Sequence, residues 1–213
     1  KDFQPIAKVA AIGPVLLGST RLKANNLREL IQEAKASAMP LTYGSNGPGS
    51  SPQQVMETFA KDAGIRLNEI PYKGAAQTLS ATISGELDLS FTAPAQAAPM
   101  LASGRVKAIA VIGDKRNAVL PDVGTFVEAG FPSFVYRNKV WIGFTGPAGM
   151  PPDTVQQIFR SVQSAASGAE FQRYLEQAGF DLAILPPEQF RAEFQEEESV
   201  VLPMLQALGV KPQ

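Results

Sequence analysis

Between residues 41 and 112 the chain repeats one pattern four times: a short apolar, β-prone run, a stretch of small residues, then apolar positions at helical spacing. Leu41, Thr42 and Tyr43 form the first run, and Val55, Met56, Phe59, Ala60 and Ala63 form the stripe of the helix that follows, which Gly64 stops. Residues 67–70 form the next strand, and Pro71-Tyr72-Lys73-Gly74 turns into a helix carrying Leu79 and Ile83 and ended by Gly85. A third strand over residues 87–91 passes through Thr92-Ala93-Pro94 into a small-residue helix reaching Ala102. Residues 106–112 are almost wholly apolar, as in a strand buried on both faces. This alternation predicts an α/β layered sheet with right-handed crossovers.

The flanks read differently. Residues 6–17 are apolar except for Lys8 and are interrupted by Gly13-Pro14, so they predict one long bent strand or two short ones. Asn26 then caps a helix with Glu29 at the capping-box position, and Leu27, Leu30, Ile31 and Ala34 keep its spacing. Beyond the block, Leu120-Pro121-Asp122 opens a short helix ending near Gly130, and residues 134–144, with the sole tryptophan Trp141, predict a second long strand. Helices from Pro152, over residues 170–178 up to Gly179, and from Pro187 complete the chain, the last kinked by Pro203. The two long strands bracket the block as hinge segments would bracket a lobe. The material outside the bracket amounts to several helices and two strands, too few for a sheet of its own, which implies a missing upstream portion.

Chemistry concentrates at residues 41–51. Gly44, Gly47 and Gly49 allow backbone angles and close approaches that a side chain forbids. Ser51 is a natural N-cap with Pro52 at the first helical position and Gln54 completing a capping box. The helix start leaves unpaired N–H groups and a positive dipole end toward the loop, a ready site for a carboxylate or phosphate. In open α/β sheets ligands lie outside the carboxyl ends of the strands. The loops over residues 44–51, 72–75 and 92–95 share that position and predict a backbone-lined anion pocket.

Composition removes other chemistries. The 213 residues include no Cys and no His, which excludes a disulfide framework, a thiolate or imidazole metal site, a cysteine nucleophile and a Ser-His-Asp triad. No Asp-rich calcium loop stands in the sequence, so neither a metal nor a cofactor is expected. A net charge of -1 gives no reason to expect nucleic acid or an anionic membrane as partner, and no apolar run reaches the roughly 20 residues of a membrane span. The first residues do not resemble a signal peptide.

Several fragments occur in a recognisable order: Tyr43-Gly44-Ser45, Gly47-Pro48-Gly49-Ser50-Ser51, Pro71-Tyr72-Lys73-Gly74, Gly85-Glu86-Leu87-Asp88, residues 102–111, Leu120-Pro121-Asp122-Val123 and Gly146-Pro147-Ala148-Gly149. Together they resemble the solute receptors of tripartite tricarboxylate transporters, the Bug receptor family, over essentially the whole chain. The resemblance implies an α/β periplasmic-binding-protein fold of the second type, with two lobes joined by hinge strands. Residues 14–138 would be the second lobe, and residues 1–13 and 139–213 the remaining part of a first lobe that is incomplete in this chain. It also implies a non-enzymatic, periplasmic receptor that captures a small carboxylate and delivers it to membrane permease subunits, without nucleic acid or membrane insertion.

The ligand-binding residues expected on this basis are Ser45, Asn46, Gly47, Ser50, Ser51, Tyr72, Lys73, Gly74, Ala75, Thr92 and Ala93. The chain departs from the family pattern at Gln53, where relatives often carry His, and at Gly124, where they carry Pro. A ligand-sensing regulatory domain and a truncated receptor without ligand binding are the alternatives that the residues leave open. Trp141 is expected in packing, and Glu196 to Glu198 on a solvated helix face.

Overall fold

The computed structural model describes residues 2–207 and 209–210; residues 1, 208 and 211–213, included in the expected first lobe, lie outside it. In chain order the elements are β1 (Phe3–Ile12), β2 (Val15–Ser19), α1 (Leu27–Ala36), β3 (Leu41–Ser45), α2 (Ser51–Ala63), β4 (Leu67–Pro71), α3 (Ala75–Ser84), β5 (Leu89–Thr92), α4 (Pro94–Ala102), β6 (Val106–Val111), α5 (Phe134–Arg137), β7 (Val140–Pro147), α6 (Pro152–Ala166), α7 (Ala169–Ala178), β8 (Asp181–Leu185) and α8 (Pro187–Ala207). The chain divides into two compact units, residues 1–12 with 140–204 and residues 13–139 with 205–213.

The second unit is built on a sheet of order β4-β3-β5-β2-β6. β3 is parallel to both β4 and β5, whereas β2 is antiparallel to β5 and β6. All five residues of β2 are buried, as are all four of β5, so these strands run through the middle of the layered core. Val15, Leu17, Ala97, Val106, Val111 and Leu120 form one apolar cluster there. The helix boundaries follow local chemistry. Asn26 accepts from the Glu29 N–H to start α1, and Gly64 and Gly85 take left-handed angles that end α2 and α3.

Two expectations fail in this unit because tertiary packing outweighs local pattern. Residues 120–130 form turns in place of a short helix, and Thr125 instead bridges to Val111 at the edge of β6. Phe126 is thereby buried against Phe59 and stacked on Tyr136, with ring centroids 5.0 Å apart. The strand expected over residues 134–144 begins only at Val140. Its first part is the single-turn helix α5, which carries Tyr136 into the same aromatic cluster, where its Oη donates to Asp62 at 2.9 Å.

The first unit has a sheet of its own, of order β7-β1-β8, all antiparallel, which corrects the expectation of too few strands. β8 was the strand that the apolar pattern did not place. Trp141 packs against Phe190 and Phe194 of α8 and donates to Glu197 at 3.0 Å. The backbone of Gly143 lies so close to Phe190 and the Ala7 carbonyl that a Cβ there would overlap both, so a glycine lets α8 seat on the sheet.

Candidate functional site

The parallel register of the second unit gathers the three loops. Ser45 at the end of β3 is the partner of Pro71 at the end of β4, and the Tyr72 N–H donates to the Ser45 carbonyl at 2.9 Å. Tyr43 pairs with Leu89 of β5, which puts the end of β5 at the same edge. From this one edge the chain enters α2, α3 and α4 in turn, and none of the three has a side-chain cap at its N-terminus.

The loop over residues 46–50 is held by Ser50 and by side chains of the elements around it. Ser45 and Thr92 are fully or almost fully buried. The Ser45 hydroxyl donates to Glu69, and the Thr92 hydroxyl to Gln96 at 2.9 Å. The Gly47 N–H donates to Ser45 Oγ at 3.0 Å, the Asn46 N–H to Ser50 Oγ at 3.2 Å, and the Lys73 N–H to Gln77 Oε1 at 3.1 Å. Ser50, rather than Ser51, is the N-cap residue. Gln54 donates its amide to the Gly49 carbonyl at 2.8 Å in place of completing a capping box. Proline at the second helical position tolerates this shift because the first turn needs no donor there.

The first turn of each helix also lies at this edge. The N–H groups of Ser51 and Gln53 in α2, Ala75 and Ala76 in α3, and Ala95 in α4 stand where a helix offers no internal acceptor. Asn46, Ser51, Lys73 and Ala75 are exposed, while Gly47, Ser50, Tyr72, Gly74 and Ala93 are half-buried. Burial and the nearby Glu86 carboxylate hold the Tyr72 phenol above its ordinary pKa, so it is a neutral donor at physiological pH. Three helix N-termini at one sheet edge, with these N–H groups, suit an anion without requiring a fixed cation. Among the described residues there is no group of three or more His, Cys, Asp or Glu side chains that could hold a metal ion.

The sequence pattern did not reveal Glu69 or the second role of Gln53, whose Nε2 donates to Glu69 at 2.8 Å and whose Oε1 accepts from the Gly49 N–H at 2.7 Å. The available signal was the strand register, which places Glu69 beside Tyr43, but register follows from pairing that the sequence does not display.

Residues 1–210 match the family described as the tripartite tricarboxylate transporter family receptor. The chain belongs to that family. It is 32% identical over 211 residues to a Bordetella pertussis protein of the UPF0065 group, covering 99% of this chain and 65% of that protein. It spans 58% and 60% of the lengths of two further relatives, one of them BugT of Bordetella pertussis. Among solved structures it is similar to the periplasmic binding protein BugD, with a TM-score of 0.83 and 26% identity, covering 99% of this chain and 71% of that one. A Rhodopseudomonas palustris protein solved with adipate has the same fold, with a TM-score of 0.86 and 24% identity over 100% of this chain and 71% of that one. The α/β periplasmic-binding-protein fold expected from the sequence is the fold found, and the family is one of receptors rather than enzymes.

Proposed function

We propose that this chain forms part of a periplasmic receptor that captures a small mono- or dicarboxylate and presents it to the membrane permease of a tripartite tricarboxylate-type transporter. The observation that carries this reading is the convergence of the α2, α3 and α4 N-termini, all without side-chain caps, at one edge of the parallel strands β4, β3 and β5. A carboxylate set there accepts N–H bonds from Ser51 and Gln53 on one side and from Ala75, Ala76 and Ala95 on the others. Charge-assisted bonds contribute roughly 1.5–3 kcal/mol each in net terms, so two or three suffice to hold a ligand without an ion pair. Asn46, Ser51, Tyr72 and Lys73 belong to these loops and helix starts and would select among ligands by their second functional group.

Membership of a receptor family supports the class of activity, and adipate, the ligand named for a protein of the same fold, sets the choice of first probe. A thermal-shift series with adipate, malate, citrate and benzoate tests the reading. A ligand held at about 100 times its Kd stabilises the chain by about 2.7 kcal/mol, a measurable rise in Tm. No shift with any of these acids at millimolar concentration removes the proposal.

A further inference from the structure

We propose that Glu69 is the positioning residue of the β3–α2 loop, an inference that takes that loop as the anion site argued above. Each oxygen of its carboxylate holds one arm. Oε1 accepts from the Ser45 hydroxyl, whose oxygen accepts the Gly47 N–H at 3.0 Å. Oε2 accepts from Gln53 Nε2 at 2.8 Å, and Gln53 Oε1 accepts the Gly49 N–H at 2.7 Å. The two arms thus end on the two glycines of the loop that take left-handed angles, φ +93 at Gly47 and +79 at Gly49.

The chemistry of the carboxylate dictates the orientation of both arms. An ionised carboxylate only accepts hydrogen bonds. Ser45 must therefore give its single proton to Glu69 and turn its lone pairs toward Gly47. Gln53 must present its NH2 to Glu69 and so its carbonyl oxygen to Gly49. Both intermediaries are buried, Ser45 at 0% and Gln53 at 9% exposure, so neither arm can be replaced by water without cost. Glu69 fixes the loop through polarity, and the loop in turn sets where α2 begins and where the Ser51 and Gln53 N–H groups point. A glutamine at position 69 has nearly the same shape but carries a donor at one end. That donor would meet either the Gln53 NH2 or the Ser45 hydroxyl proton, and the amide of Gln53 or the hydroxyl of Ser45 would have to turn away.

Native-state amide exchange of the unliganded chain, read residue by residue, tests this. Glu69→Leu, which removes both acceptors, speeds exchange at Gly47 and Gly49 together, roughly five- to tenfold for arms worth about one net hydrogen bond each, and Glu69→Gln, which keeps one acceptor, speeds one of the two, while Phe59 and Leu89 in the core keep their rates. Ser45→Ala speeds Gly47 alone, and Gln53→Ala speeds Gly49 alone. Unchanged glycine rates in Glu69→Gln would overturn the proposal. So would a uniform rise that includes Phe59 and Leu89, since that pattern belongs to lost global stability. If Glu69→Leu fails to fold, Glu69→Gln still decides: acceleration at Gly47 or Gly49 with the core rates kept supports the relay, and unchanged rates at both sink it. The exchange pattern needs no ligand, so failure of every acid to bind would remove the receptor reading while leaving this result standing.

Discussion

At the scale of single residues, two glycines of the same loop region answer to different constraints. Gly44 lies on β3, where an added Cβ would come within 2.6 Å of Thr78 and 2.7 Å of Leu87. Gly44→Ala therefore overpacks the contact between β3 and α3 and should cost about 1–3 kcal/mol in chemical denaturation. Gly47 has φ +93 and open space around it, so Gly47→Ala meets only backbone strain, about 1 kcal/mol. Two buried phenols supply a second prediction. Burial raises the pKa of Tyr43, aided by its bond to Glu57, and of Tyr136, aided by its bond to Asp62. A raised folded-state pKa means that the folded protein holds the phenolic proton more tightly than the unfolded chain does. The stabilisation is fully present below the unfolded pKa of about 10 and is lost as pH rises above it. Denaturation midpoints should fall between pH 9 and pH 11, and the double variant Tyr43→Phe, Tyr136→Phe should flatten that fall.

At the scale of elements, α1 and α2 show how capping was and was not legible. Asn26 and Glu29 were readable as an N-terminal signature, and Asn26 Oδ1 accepts the Glu29 N–H at 3.0 Å. Asn26→Ala should cost about 1 kcal/mol in urea denaturation with an unchanged m-value. For α2 the sequence points to Ser51 as the cap, whereas the helix starts one residue earlier, with Ser50 at the N-cap position and its hydroxyl engaged by the Asn46 N–H inside the loop. The alternating strands and helices from β3 to β6 were legible because each is a complete local period bounded by glycine or proline. The helix expected over residues 120–130 and the early start of β7 were misread for one reason. Phe126, Tyr136 and Phe131 join Phe59 in an aromatic cluster, and that long-range packing decides the backbone of residues whose own propensity is indifferent. The loops that make up the candidate site could be named from the sequence, whereas the hydrogen bonds that engage Ser45 and Thr92 internally could not. They depend on Glu69 and Gln96 arriving from a neighbouring strand and a following helix.

At the scale of the molecule, electrostatics separates a site built from backbone from one built on charge. The chain carries 19 basic and 20 acidic residues and no histidine, so it has almost no net field to draw an anion from a distance. Lys73 is the sole cation in residues 44–51, 72–75 and 92–95, and it is exposed, where a charge is screened within about 10 Å at 0.1 M salt. The partial charges of the helix ends act at contact distance, inside that screening length, and change little with ionic strength. The Kd of a bound carboxylate, measured by calorimetry, should therefore rise less than about threefold between roughly 20 and 200 mM sodium chloride. Lys73→Gln should shift it by a similarly small factor. A tenfold or greater loss of affinity in either experiment would move the weight of binding from the N–H groups of α2, α3 and α4 to the Lys73 ammonium. Helix N-termini would then be a scaffold for the loop carrying that charge, and the exposed Lys73 would be the residue on which ligand choice turns.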